Sequence, residues 1–280
     1  MATEGRLHDE AHASRRDATA LLSERHGWSE LVEVNPPLLP NMTHQRLRGT
    51  WTQVLVTDNP FQQVRVSPYA FAARITHDVP EVRPTVVASS RDRNILAIES
   101  EVRGALGNGV NSFLVVAGDV LPEVEHWANN YEIVEHLRAL QDVMPSFEVG
   151  MSTRFREWMF RRRIAIGAQF FVTGPVMDPD VVERCAARLG LGDADPPVYL
   201  GVVPPFSEAW VNRIEGLGGV KVGERLRSRL TSSWTRRDAW RTAKEAACRG
   251  RELGFAGVVL MSMKFETVVG EAYDEWHAVD

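Results

Sequence analysis

Short apolar runs separated by longer amphipathic stretches set the pattern of this chain. Leu31–Val34, Gln53–Thr57, Thr85–Ser89, Ser112–Ala117, Phe147–Met151, Gln169–Thr173, Val198–Val203 and Gly257–Ser262 are rich in Val, Leu and Ile. Between them apolar positions recur at helical spacing, as in Ile95, Ile98, Val102 and Leu106, or Val181, Val182, Cys185, Ala186 and Leu189. Continuous apolar strands alternating with helices predict a parallel sheet covered on both faces. Eight such strands in 280 residues predict a closed (β/α)8 barrel, a TIM barrel of the α/β class, over residues 28–280.

Glycines support the strand count. Gly107-Asn108-Gly109, Ile166-Gly167-Ala168 and Leu253-Gly254-Phe255 each close a helical stretch just before a strand. Glycine is the usual residue past a helix end. The alternative, an open doubly wound sheet, lacks the G-x-G-x-x-G turn after its first strand. Gly216-Leu217-Gly218-Gly219 follows a helix and reads as that helix's exit. Residues 1–27 are polar and predict an N-terminal helical extension, with one amphipathic helix around Arg16–His26. Closing the barrel floor and mediating assembly are both open as its use.

An apolar share of 44% and a charged share of 25% belong to a globular protein with a full core. The net charge of -5 speaks against a nucleic-acid partner. No apolar run approaches the roughly 20 residues that cross a bilayer. The chain opens on Glu4, Arg6, Asp9 and Glu10 rather than an apolar segment, so a cytoplasmic location and no membrane partner are expected. Cys185 and Cys248 lack Cys-x-x-Cys spacing and predict neither a disulfide nor a cysteine metal site.

Barrels hold ligands at the C-terminal ends of their strands. Those ends present Glu33 and Asn35, then Thr57, Asp58 and Asn59, then Ser89, Ser90, Arg91 and Asp92. Asp119, Ser152, Thr153, Thr173, Ser262 and Lys264 follow on later strands. This rim has no histidine or cysteine, and the chain has no Gly-x-Ser-x-Gly elbow. A His-rich hydrolytic metal centre and a hydrolase triad are therefore not expected. Glu33 is the sharpest candidate, because an inward carboxylate in an apolar strand must find a partner or become neutral. A carboxyl kept neutral by burial is a usable proton donor. A salt bridge to a rim arginine, or a place on the helix-facing side, is the structural alternative. Asp119 after Gly118 either faces a ligand or caps the next helix. Arg161-Arg162-Arg163 reads as a solvated helix face. Phe206, in Pro204-Pro205-Phe206, reads as an aromatic wall or a helix-start staple.

Together these strand ends resemble the methylenetetrahydrofolate reductase family from about Leu31 onward, most clearly over Leu31–Asp119 and more faintly over Phe147–Asp178. Glu33 before Asn35-Pro36-Pro37 matches the family's first-strand catalytic Glu, and Val56-Thr57 its second-strand pattern. Arg91-Asp92-Arg93-Asn94 matches a third-strand block, and Gly118-Asp119 the fourth-strand Gly-Asp. The resemblance implies an oxidoreductase acting on CH–NH groups, reducing 5,10-methylenetetrahydrofolate to 5-methyltetrahydrofolate with NAD(P)H. It implies Glu33 and Asp119 as catalytic residues, with Arg91, Asp92, Asn35 and Phe206 binding substrate. It implies Thr57, Ser89, Gly118 and Arg163 as cofactor-binding, Arg163 standing about where a family Lys meets phosphate. The implied partner is a reduced folate, and a homo-oligomer is open.

FAD is the family's cofactor, and the departures fall on its side. Gly174 stands where the family has a Gln whose amide helps bind folate, Ala117 where an Arg is frequent, and Met151–Ile166 is several residues shorter. Altered FAD binding and a flavin-free branch with direct hydride transfer both remain open. So do a reductase of another imine-like substrate, a folate-dependent methyl-transfer protein, and a non-catalytic folate-binding partner subunit.

Overall fold

The computed structural model describes residues 21–24, 27–39, 47–60, 63–118, 128–261 and 269–279. Eight parallel strands close into a barrel in chain order: β1 (Ser29–Val34), β2 (Gln53–Val56), β3 (Arg83–Ser89), β4 (Ser112–Val116), β5 (Glu148–Thr153), β6 (Phe171–Thr173), β7 (Val198–Val202) and β8 (Gly257–Leu260). β8 pairs back onto β1, with Leu31 opposite Val259, so the sheet keeps no free edge. Each predicted apolar run has become a strand, and the predicted barrel is the observed fold.

The helices among the described residues are α1 (Pro68–Asp78), α2 (Ile95–Leu106), α3 (Asn130–Leu140), α4 (Glu157–Ala165), α5 (Pro179–Leu189), α6 (Glu208–Gly216), α7 (Glu224–Arg229), α8 (Arg236–Glu252) and α9 (Val269–His277). Local chemistry starts and stops them. Asn94 accepts the Ala97 N–H at 2.9 Å, and Thr235 and Asp238 cap α8 reciprocally. Gly109, Gly167 and Gly254 have φ of +81°, +93° and +86°, as the helix-stop reading requires. None of these helices is long and apolar enough to cross a membrane. Both cysteines are free thiols; Cys185 is buried, and burial pushes its pKa up to about 11.

Alternation along the strands divides the core in two. Leu31, Leu55, Val87, Leu114, Phe170, Val172, Tyr199 and Val259 fill the barrel interior. Their neighbours, such as Val32, Val54, Val86, Phe113 and Leu200, pack outward against the helices. Size complementarity closes the interior: a Cβ on Gly150 would lie 2.5 Å from the Phe170 ring.

Residues 1–20 and 25–26, and with them most of the predicted Arg16–His26 helix, lie outside the described residues. The described part, Leu22–Glu24, is a 3-10 turn. It closes the barrel floor. Leu22 joins the interior cluster, and its carbonyl accepts the Tyr199 hydroxyl at 2.8 Å. Glu148, at the start of β5, accepts the Leu22 and Ser23 N–H groups at 2.9 and 2.7 Å and the Ser112 hydroxyl at 2.6 Å.

The opposite end is shaped by the long excursion between β7 and β8. Val211 and Ile214 of α6 pack on Met177 and Val203, with Met261 beside them at the end of β8. An apolar cap therefore covers the mouth over β6–β8.

Candidate functional site

The β1–β4 side of the mouth is polar, and strand register explains why. Leu31 points into the barrel, so Glu33, two residues on, points the same way and one layer nearer the mouth. Glu33 is half-buried and lies opposite Leu55 of β2. Asn35 is buried one layer higher, where its Oδ1 accepts the Thr57 hydroxyl at 2.6 Å. This bond joins the ends of β1 and β2. The turn after β1 is held by Arg65, whose guanidinium donates to the Pro36 carbonyl at 2.9 Å.

At the end of β3, Ser89 is buried and its Oγ accepts the Arg91 N–H at 3.3 Å. The Arg91 side chain is only 5% exposed. Its Nε donates to Asp92 Oδ2 at 3.1 Å, and its Nη2 to the Asn59 carbonyl at 3.4 Å. Asp92 is exposed and has a positive φ of 61°. Arg91 and Asp92 are thus paired side by side at the end of β3.

Gly118 ends β4 with φ +79°, and a Cβ there would lie 2.3 Å from Ser89 Oγ and 3.1 Å from Arg91 Cβ. Only glycine lets this strand end close on its neighbour. Asp119, Ser262 and Lys264 lie outside the described residues.

On the β6–β7 side, the Thr173 hydroxyl accepts the Gly201 N–H at 2.9 Å and donates to the Gly174 carbonyl at 3.0 Å. Nothing lies within 4 Å of a Cβ built on Gly174. The mouth therefore offers carboxylate, amide, hydroxyl and guanidinium groups on one side and an apolar cap on the other.

Two expected site residues sit elsewhere. Phe206 packs edge-on to Trp240 at 5.8 Å, under the Arg236 guanidinium at 5.2 Å, and belongs to the outer cluster between strands and helices. Helix-shell packing has claimed its ring, as the staple alternative holds. Arg163 lies between α3, α4 and β5, where its Nη1 donates to the Ser152 carbonyl and its side chain meets Tyr131. Burial lowers its pKa, so the site favours the cation less than water does.

Sequence reasoning missed an ion pair behind the rim and a carboxylate at the floor. Asp58 was placed on the rim, but its side chain is fully buried in an ion pair with Arg93 at 2.5 Å. Arg93 also donates to Glu101 of α2 at 2.9 Å and lies 6.0 Å from the Tyr69 ring centre. Burial raises the Glu101 carboxyl pKa despite the neighbouring Arg93, and raises that of the Tyr69 hydroxyl. Opposite charges ending adjacent strands, Asp58 and Arg93, were the available signal. The other missed residue is Glu148 at the floor, a carboxylate beside apolar strand residues as Glu33 is.

The architecture defines a (β/α)8-barrel protein with a polar C-terminal mouth. No protein-family model matches the chain, and no curated protein matches it. Among solved structures, the chain is similar to an uncharacterized protein from Clostridium thermocellum that binds two copies of 5-methyl-5,6,7,8-tetrahydrofolic acid. Identity is 15%, over 91% of this chain and 97% of that one, with a TM-score of 0.60. It is also similar to 2,3-dimethylmalate lyase, a PEP mutase/isocitrate lyase superfamily member, at 14% identity over 95% and 84% of the two chains, TM-score 0.54. Oxaloacetate acetylhydrolase matches at 12% identity over 89% and 80%, TM-score 0.53. At these identities the likeness establishes the barrel fold.

Proposed function

We propose that this protein binds a reduced folate at the C-terminal mouth and reduces 5,10-methylenetetrahydrofolate to 5-methyltetrahydrofolate with NAD(P)H. The observation that carries the reading is the inward Glu33 of β1, one layer beyond Leu31 and facing the mouth. A fold neighbour that binds 5-methyltetrahydrofolate adds support.

The chemistry asks for a proton before a hydride. The methylene bridge resists direct attack until the five-membered ring opens to an iminium cation, and opening needs an acid at the departing nitrogen. Glu33 supplies that proton and is reprotonated from solvent. Asp119 hydrogen-bonds the pterin and opposes the developing cationic charge. Arg91, held by Asp92, Asn35 and the Thr57 hydroxyl orient the ring, while Met177, Val203 and Met261 exclude water from the opposite face. When bound, NAD(P)H supplies the hydride. Arg163, the residue that would meet a flavin phosphate, is turned to Ser152 and Tyr131, so no step is assigned to a flavin.

The test is direct. Purified protein should be colourless and should oxidise NAD(P)H only when 5,10-methylenetetrahydrofolate is added. A flavin spectrum would overturn direct transfer. Folate binding without any oxidation would overturn the reductase reading in favour of a folate-binding protein without turnover.

A further inference from the structure

Behind the mouth, one cation ties together four elements. Arg93 meets Asp58 at the end of β2, Glu101 in α2 and the Ser89 carbonyl of β3, close to Tyr69 of α1. Asp58 is the fully enclosed member; its Oδ2 meets Arg93 at 2.5 Å and its Oδ1 accepts the Asn59 side-chain amide at 3.0 Å. Asn59 is one of two described non-glycine residues with positive φ, at 44°. That turn aims its carbonyl at the Arg91 guanidinium.

We propose that Asp58, braced by Arg93, is a positioning residue. It holds Asn59 in the left-handed turn whose carbonyl fixes Arg91 at the mouth. A buried ion pair is a weak source of stability, because desolvating two charges offsets their attraction. Such a pair is better suited to selecting one geometry than to strengthening the fold. Here the selected geometry ends on a guanidinium whose stem is also confined by Gly118. Arg91 matters to folate only under the reductase reading above; its confinement by Asp58 does not depend on it.

The comparison that tests this sets Asp58→Ala against Glu101→Ala. Each removes one carboxylate from Arg93, but only the first releases Asn59. Proton exchange at the Arg91 Nη–H groups, one of which donates to the Asn59 carbonyl, is followed by nitrogen-15 NMR, with the signals assigned by their loss in Arg91→Lys. Asp58→Ala should speed that exchange at least tenfold, while Glu101→Ala should stay within about twofold of wild type. Should Asp58→Ala fail to fold, Asn59→Gly removes the amide that Asp58 holds, leaves the turn free to abandon its positive φ, and should release Arg91 equally. Unchanged exchange in Asp58→Ala, or in Asn59→Gly where that variant stands in, overturns the proposal. So does equal release in Glu101→Ala. Affinity for 5-methyltetrahydrofolate, measured in parallel, should fall about tenfold in Asp58→Ala and hold in Glu101→Ala. Wild-type protein that binds no folate removes the folate reading, and the exchange comparison still decides the brace.

Discussion

The backbone N–H of Leu22 donates to Glu148 Oε1 at 2.9 Å, across 126 residues of chain. With the Ser23 bond beside it, this contact closes the barrel floor. Glu148→Ala would leave two N–H groups without their acceptor. The cost should be about 2–4 kcal/mol, read as a lower urea midpoint. Protease should then cut near residues 21–24 in the variant before it cuts wild type. An unchanged midpoint would mean the floor contributes nothing to stability.

The same carboxylate makes stability depend on pH. Burial raises the Glu148 pKa, opposed by hydrogen bonds from Ser112, Ser23 and Leu22. The folded state then keeps a proton at pH values where the unfolded chain has released it. Its contribution is fully present below the ordinary value of 4.5 and is lost as pH rises through the higher folded value. Glu101 shifts in the same direction, mainly through burial. In denaturation series from about pH 4 to 8, wild type should lose stability relative to Glu148→Gln as pH rises. The opposite trend would show the donors outweighing burial.

Glu33→Gln keeps the side-chain size and removes the acidic proton. Turnover with 5,10-methylenetetrahydrofolate should fall roughly 10²–10⁴-fold. Affinity for 5-methyltetrahydrofolate, followed by calorimetry, should stay within about threefold, because proton donation belongs to the transition state. A near-normal rate removes Glu33 from the mechanism.

Gly118→Ala and Gly174→Ala form a matched pair. The first places a Cβ 2.3 Å from Ser89 Oγ at φ +79° and should cost about 2–4 kcal/mol. The second meets nothing within 4 Å and should stay within about 0.5 kcal/mol. Urea midpoints distinguish them, and equal costs would contradict the close approach of β4 to β3.

Phe206→Ala separates packing from binding. Losing the Trp240 contact should cost about 2–3 kcal/mol of stability and leave folate affinity unchanged. A weakened affinity with intact stability would return Phe206 to the mouth.

Glu33 and Glu148 show where sequence reading stops. Each is a carboxylate flanked by apolar residues, and their neighbours, Val32 and Val34 or Phe147 and Val149, are alike in kind. One ends near the mouth and the other is sealed at the floor by the N-terminal segment. The surroundings of Arg163 and Phe206 were out of reach for a related reason. Helical position narrows which way a long side chain leaves the backbone, but its partner comes from a distant element, Tyr131 for one and Trp240 for the other.

By itself the sequence determined the eight strands, their parallel order, the helix stops and the set of polar groups near the strand ends. Those features depend on alternation, periodicity and turn chemistry, which act over a few neighbouring residues. Tertiary structure alone decided which charges meet, Asp58 with Arg93 and Glu148 with Leu22, and which end of the barrel each serves. Closing the sheet brings residues far apart in the chain into contact, and burial then requires every enclosed charge to find its partner there.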